Sequence, residues 1–119
     1  MMRELKSIEI MEDACQYAGV SLQEISCYLF DEGRLYIRGS IRAKEGYKRK
    51  GELQIRADVL NSEKKIIYSL EDYQRRSVDF LYDSFELSYY GTCDILQELD
   101  LEKCTIRVYP IIRSIRRRG

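Results

Sequence analysis

The chain has no histidine, so proton transfer near neutral pH would fall to carboxylates, lysines or tyrosines held at shifted pKa. Carboxylates gather twice, as Asp79, Asp83 and Glu86 and again as Asp94, Glu98, Asp100 and Glu102. A glycosidase pair needs a cleft and a fixed separation, and sequence spacing supplies neither. The same oxygens suit Ca²⁺, which carboxylates and carbonyls can satisfy, yet no Asp-x-Asp-x-Asp-Gly loop puts them in order. Solvated acidic loops are the plainer reading. The cysteines Cys15, Cys27, Cys93 and Cys104 show no Cys-x-x-Cys pairing, and the chain offers no histidine to complete a zinc site. They read as reduced thiols, with Cys27 sharing parity with Ile25 and Leu29, and Cys104 with Ile106 and Val108, as small core residues. No catalytic residue, metal ligand or cofactor-binding residue is assigned, and the expectation is a protein that is not an enzyme and takes no cofactor.

A second group of residues suits recognition instead. Tyr36, Arg38 and Arg42 share one parity, Arg56 lies on the polar side of its segment, and Arg107 and Tyr109 lie on the polar side of theirs. If the three segments are neighbouring strands, these guanidinium and phenol groups line one exposed surface that offers stacking and bidentate hydrogen bonds to a partner. Ten tyrosines and no tryptophan favour an interface, where tyrosine is enriched. The competing reading is an ordinary solvent face with cross-strand pairs to Asp58 and Glu52.

The element that must position them is the stretch Gly51 to Ser69. Leu53, Ile55, Ala57 and Val59 occupy alternate positions, with Glu52, Gln54, Arg56 and Asp58 between them, and only an extended strand sends alternate residues to opposite faces. It reads as a half-buried strand. Asn61-Ser62-Glu63-Lys64 is a turn, and Ile66-Ile67-Tyr68 resumes as the second arm of a hairpin. Upstream, residues 1–19 carry two patterns, resolved here as a strand at Ile8 to Met11 and a short helical turn stopped by Gly19. Ser21 to Phe30 and Leu35 to Ala43 alternate around the turn Asp31-Glu32-Gly33-Arg34 and are expected to pair. Gly39 falls in the apolar register of the second, where a bulge or a close neighbour would use its missing side chain.

Residues 44–50 form a charged loop and 70–76 a polar one, Val78 and Phe80 begin a short run, and Phe85, Leu87 and Tyr89 make a strand that Gly91 ends. Ile95, Leu96 and Leu99 behind Asp94 predict a short helical turn over residues 94–101. Cys104, Ile106 and Val108 form the last strand, in which Pro110 marks a place where no ladder hydrogen bond is needed. About seven short strands at intervals of about 8–12 residues, without crossover helices, predict an all-β antiparallel sandwich or barrel and argue against the doubly wound α/β folds.

The segments Leu35-Tyr36-Ile37-Arg38-Gly39-Ser40-Ile41, Leu53 to Asn61 and Lys65-Ile66-Ile67 together resemble small bacterial immunoglobulin-like sandwiches of the FxLYD kind over residues 35–68. Leu60-Asn61 stands where that family has Tyr-Asp, and the family's usual glycine is missing. The resemblance implies an immunoglobulin-like sandwich serving as an interaction or spacer module.

Composition sets the remaining bounds. At 119 residues the chain suits one domain, residues 1–119, with 112–119 as a basic tail, and its 45% hydrophobic content is enough for a core. Lys plus Arg equals Asp plus Glu at 20 each; without Arg113, Arg116, Arg117 and Arg118 the rest carries 16 positive charges against 20 negative. A body of that balance argues against nucleic acid as partner, and four terminal arginines add little at physiological salt. No apolar run is long enough to span a membrane, and the first residues lack the apolar stretch of a secretory signal, so cytoplasmic residence is expected. The functional expectation is a protein-interaction or structural module with a protein partner or a second copy. The alternative is a sandwich that binds carbohydrate, or a ligand through Ca²⁺.

Overall fold

Burial follows the alternation in the central stretch: Leu53, Ile55, Ala57 and Val59 have no exposed surface. In a computed structural model of the protein, which describes residues 2–30, 34–44, 51–72, 82–90 and 103–113, these four lie on one of eight strands. In chain order the elements are β1 (Met2–Leu5), β2 (Ile8–Ile10), α1 (Glu12–Ala18), β3 (Val20–Phe30), β4 (Arg34–Ala43), β5 (Glu52–Leu60), β6 (Ile66–Glu71), β7 (Tyr82–Tyr90) and β8 (Thr105–Arg113). They form two four-stranded sheets, ordered β1-β3-β4-β7 and β2-β8-β5-β6. Leu35, Ile37, Ile41, Phe85 and Leu87 of the first sheet and Leu53, Ile55, Val59, Ile106 and Val108 of the second belong to one apolar cluster. Two sheets over a common core are the expected all-β architecture.

Both expected hairpins are present. β3 and β4 pair antiparallel, as do β5 and β6. The β5–β6 turn is closed by the Asn61 side chain, which accepts from the Glu63 and Lys65 amides at 2.9 and 3.0 Å, while Lys64 takes a positive φ of 64°. The split reading of the first residues also holds: β2 precedes α1, and Gly19, at φ 69°, caps the helix by donating its N–H to the Cys15 and Gln16 carbonyls. Cys15 and Ala18 are the buried residues of this single-sided helix.

The β3–β4 pairing contains the feature expected at Gly39. Register shifts between Gln23 and Ser26, so that Glu24 and Ile25 together oppose Gly39, and Glu24 takes a left-handed φ of 56°. This bulge reverses parity along β3. Leu22 faces the core before it, and Cys27 and Leu29 after it. Space above Gly39 is filled by the Phe85 ring from β7 and by Ile25, whose nearest atoms lie 2.6 and 3.0 Å from where a Cβ would stand.

Four expectations need correction. The fold is not wholly antiparallel, because β2 runs parallel to β8, with Ile8 opposite Ile106 and Ile10 opposite Val108. Parallel neighbours need a long connection, and most of the chain lies between these two. Met2–Leu5, where no strand was expected, forms β1, so that the first ten residues supply one short strand to each sheet. β5 is not open on its polar side, where Gln54 and Asp58 are buried. The basic tail cannot begin at residue 112, because Ile112 and Arg113 pair with Leu53 and Glu52 within the second sheet.

Leu70 and Glu71 likewise belong to β6 rather than to a loop. The charged loop at 45–50, the run at Val78 and Phe80 and the helical turn at 94–101 lie outside the described residues.

Pro110 behaves as expected. Ile106 donates its N–H to the Ser7 carbonyl and Val108 accepts from the Met11 N–H, so residues 106, 108 and 110 turn their backbone polar groups toward β2. β2 ends at Ile10, opposite Val108, and the missing proline N–H leaves no ladder bond unmade.

Candidate functional site

The six residues expected on one surface divide between two. Tyr36, Arg38 and Arg42 are on the outer side of β4 in the first sheet, whereas Arg56 is on β5 and Arg107 and Tyr109 are on β8, in the second. β5 and β8 are direct neighbours, with Arg56 opposite Tyr109 and Asp58 opposite Arg107, but β4 is adjacent to neither. Alternation assigns a side chain to the core or to the outside. It cannot say which outside.

On the second sheet most of the outward charged groups are paired with one another. Asp58, 4% exposed, accepts from the Tyr109 hydroxyl at 2.9 Å and from the Ser69 hydroxyl at 2.7 Å. Arg56 stands 4.0 Å from Asp58 and 3.8 Å from Glu71. Arg113 approaches Glu71 at 3.3 Å and donates from Nε to the Gln54 side chain at 2.7 Å, and Gln54 in turn donates to the Asp72 carbonyl at 2.6 Å. Arg107 pairs with Glu9 at 3.6 Å. Burial and the Asp58 hydrogen bond push the Tyr109 phenol up to about 12. Cross-strand pairing to Asp58 therefore describes Tyr109, whereas Arg56 shares β5 with Asp58 and pairs across to Glu71; among the described residues the Nε atoms of Arg56 and Arg107 are buried without a hydrogen-bond partner.

The outer side of the first sheet is built differently. The register sets Tyr28 opposite Tyr36, with Ser88 beyond it, and sets Ser26, Arg38 and Glu86 in the next row. At the hairpin end the Arg34 guanidinium stacks on the Phe30 ring at 4.2 Å from its centroid. At the other end Arg42 lies opposite Ser21 and Tyr82, and Tyr82 is 59% exposed. The Tyr36 phenol is raised above its ordinary pKa, first by burial and then by its hydrogen bond to Glu86.

Arg38 and Arg42 are exposed, and among the described residues neither makes a hydrogen bond or an ion pair. A cleft of about 470 Å³ opens beside them at the bulge, lined by Glu24, Ser26, Arg38, Ser40, Ser84 and Glu86 among others. The arrangement offers planar cations and aromatic faces for binding.

Tyr28, Phe30 and Arg34 were not singled out by sequence reasoning, and Glu86 was singled out only as a member of an acidic cluster. The signal was present for the first three, since a hairpin turning at residues 31–34 brings Tyr28 and Phe30 across from Tyr36 and Arg34. Glu86 joins them only through the long-range pairing of β4 with β7.

The first acidic cluster does not converge. Asp83 and Glu86 occupy opposite parities of β7, and Asp79 lies outside the described residues, as does the second cluster from Asp94 to Glu102. Among the described residues no group of three or more Cys, Asp or Glu could hold a metal ion, and no helix is long and apolar enough to cross a membrane. Cys15, Cys27 and Cys104 are buried, and burial pushes Cys27 up to about 12 and Cys15 up to about 11, with Glu12 adding to the latter. Set beside protein-family models, characterised proteins and solved structures, the chain matches none of them.

Proposed function

We propose that this protein is a non-enzymatic interaction module, an immunoglobulin-like sandwich that engages a protein partner through the outer face of its β1-β3-β4-β7 sheet. The observation that carries the reading is a contrast between the two faces. Arg56, Arg107 and Arg113 on the second sheet are each held by a carboxylate, whereas Arg38 and Arg42 on the first stand exposed beside a tyrosine pair with no carboxylate partner among the described residues. Uncommitted arginine next to tyrosine is the composition that dominates binding energy at protein interfaces. Glu4 and Glu86 share the face with Arg34, Arg38 and Arg42, and such mixed signs suit a protein surface better than a phosphate backbone. The immunoglobulin-like assignment draws support from the two four-stranded sheets and from a first segment that leaves one sheet for the other between β1 and β2. The buried free thiols of Cys15 and Cys27 favour the cytoplasm.

The test is affinity capture from the native host with quantitative mass spectrometry, comparing wild type, Arg38→Glu/Arg42→Glu and Arg107→Glu. Loss of a hot-spot contact costs at least about tenfold in affinity, so partners should fall at least about tenfold with the first variant and persist with the second. A partner set unchanged by the Arg38→Glu/Arg42→Glu variant refutes the assignment of this face.

A further inference from the structure

The four sheet edges are unequally protected. β1 has four residues and β2 three, too short to template another chain, and the β5–β6 pairing is interrupted by a register shift between Val59 and Leu60. β7 differs from all three. Its nine residues pair with β4 without a break from Arg34–Tyr90 to Arg42–Tyr82, and it contains no proline, glycine or lysine. Among the described residues nothing pairs with its other side. A long straight edge of this kind is a ready template for strand addition.

The sequence of β7 indicates which strand would be added. Tyr82-Asp83-Ser84-Phe85-Glu86-Leu87-Ser88-Tyr89-Tyr90 is close to a palindrome about Glu86: Phe85 mirrors Leu87, Ser84 mirrors Ser88, and Tyr82 mirrors Tyr90. Two antiparallel copies in the register that sets Glu86 opposite Glu86 therefore match serine to serine, tyrosine to tyrosine and core-facing apolar residue to core-facing apolar residue. Nine aligned residues form about nine main-chain hydrogen bonds, close to the ~10 of a typical interface. The mismatches are Asp83 against Tyr89 and Glu86 against itself, and Arg38 flanks Glu86 from β4 in each copy. We propose that β7 pairs with β7 of a second copy of this chain about a two-fold axis at Glu86, joining the two β1-β3-β4-β7 sheets into one of eight strands. This goes beyond the partner-binding reading and does not depend on it, since main-chain groups along the edge carry the pairing, although Glu86 and Arg38 also lie on the outer face.

The central like-charge pair makes the proposal testable without touching the core, because Glu86 is exposed. Sedimentation equilibrium of the full chain over a concentration series should show a monomer–dimer equilibrium. Glu86→Gln keeps an acceptor for Tyr36 and removes the repulsion, so dimerisation should tighten by about 1.5–5-fold, the affinity equivalent of one relieved cross-strand pair. Glu86→Arg should weaken its own dimer. Mixed in equal amounts with wild type, it should give a Glu–Arg heterodimer above the statistical half, read by native mass spectrometry, with circular dichroism confirming that both variants fold. A wild type that stays monomeric at every concentration overturns the proposal. So does a dimer that mixes statistically with Glu86→Arg and ignores Glu86→Gln, because its contact then lies elsewhere.

Discussion

Replacing Gly39 by alanine tests the packing that joins three strands of the first sheet. A methyl group there would stand 2.6 Å from Cζ and 2.9 Å from Cε1 of Phe85, and 3.0 Å from Cγ1 of Ile25. Carbon atoms rest about 3.5–4.0 Å apart, so the ring must yield by about 1 Å. Phe85 is 2% exposed and belongs to the common core, and Ile25 is tied to the β3 bulge, so neither can swing into solvent. Overpacking of this kind costs about 1–3 kcal/mol. For a domain of this size each kcal/mol lowers the melting temperature by roughly 3–6 °C. Urea or thermal denaturation followed by circular dichroism should show Gly39→Ala less stable by that amount. Phe85→Leu alone should cost about 1–2 kcal/mol through the space it leaves, and the double variant should be more stable than the sum of the two losses by about 1 kcal/mol or more. A Gly39→Ala protein within about 0.5 kcal/mol of wild type, or an additive double variant, would refute the claim that Phe85 occupies the glycine's missing side-chain space.

Further outcomes follow from the second sheet and the core. Asp58→Ala strips the acceptor from Tyr109 and Ser69 and should cost about 2–3 kcal/mol, while Tyr109→Phe, which leaves Asp58 its other partners, should cost about 0.5–1.5 kcal/mol; equal losses would mean that Asp58 has no hub role. The Tyr109 phenol is raised from 10.0 to about 12 in the fold, so the stability it contributes is fully present below pH 10 and disappears as pH rises toward 12. Wild type should therefore lose stability more steeply than Tyr109→Phe between those values, and parallel curves in pH-dependent denaturation would exclude the Tyr109–Asp58 bond. Cys15 and Cys27 are buried with raised pKa values, so a thiol reagent followed by peptide mapping should modify them only on unfolding; fast labelling of Cys27 in the native protein would contradict its place in the core.

The residues that alternate most cleanly were the most legible. Leu53 to Val59, Leu35 to Ile41 and Ile106 to Val108 announce strands because period two is a property of the extended backbone alone, and burial agrees at every one of those apolar positions. The turn at residues 61–64 and the helix stop at Gly19 were equally local, the first set by the Asn61 side chain acting on its own backbone and the second by a glycine that accepts a left-handed φ. Gly39 was half legible: its register exposed a missing side chain, but that Phe85 fills the gap depends on a pairing across more than forty positions.

What only the tertiary structure decided is which strands share a sheet. Parity divides inside from outside, and a two-sheet protein has two outsides, so Tyr36, Arg38 and Arg42 parted from Arg56, Arg107 and Tyr109 although all six obey the same alternation. The same long-range pairing buried Asp58 among Tyr109, Ser69 and Arg56 and left Arg38 and Arg42 exposed. Local backbone chemistry wrote the strands into this chain. Strand order, which depends on contacts between residues far apart in sequence, determined which charges are paired within the fold and which stand exposed.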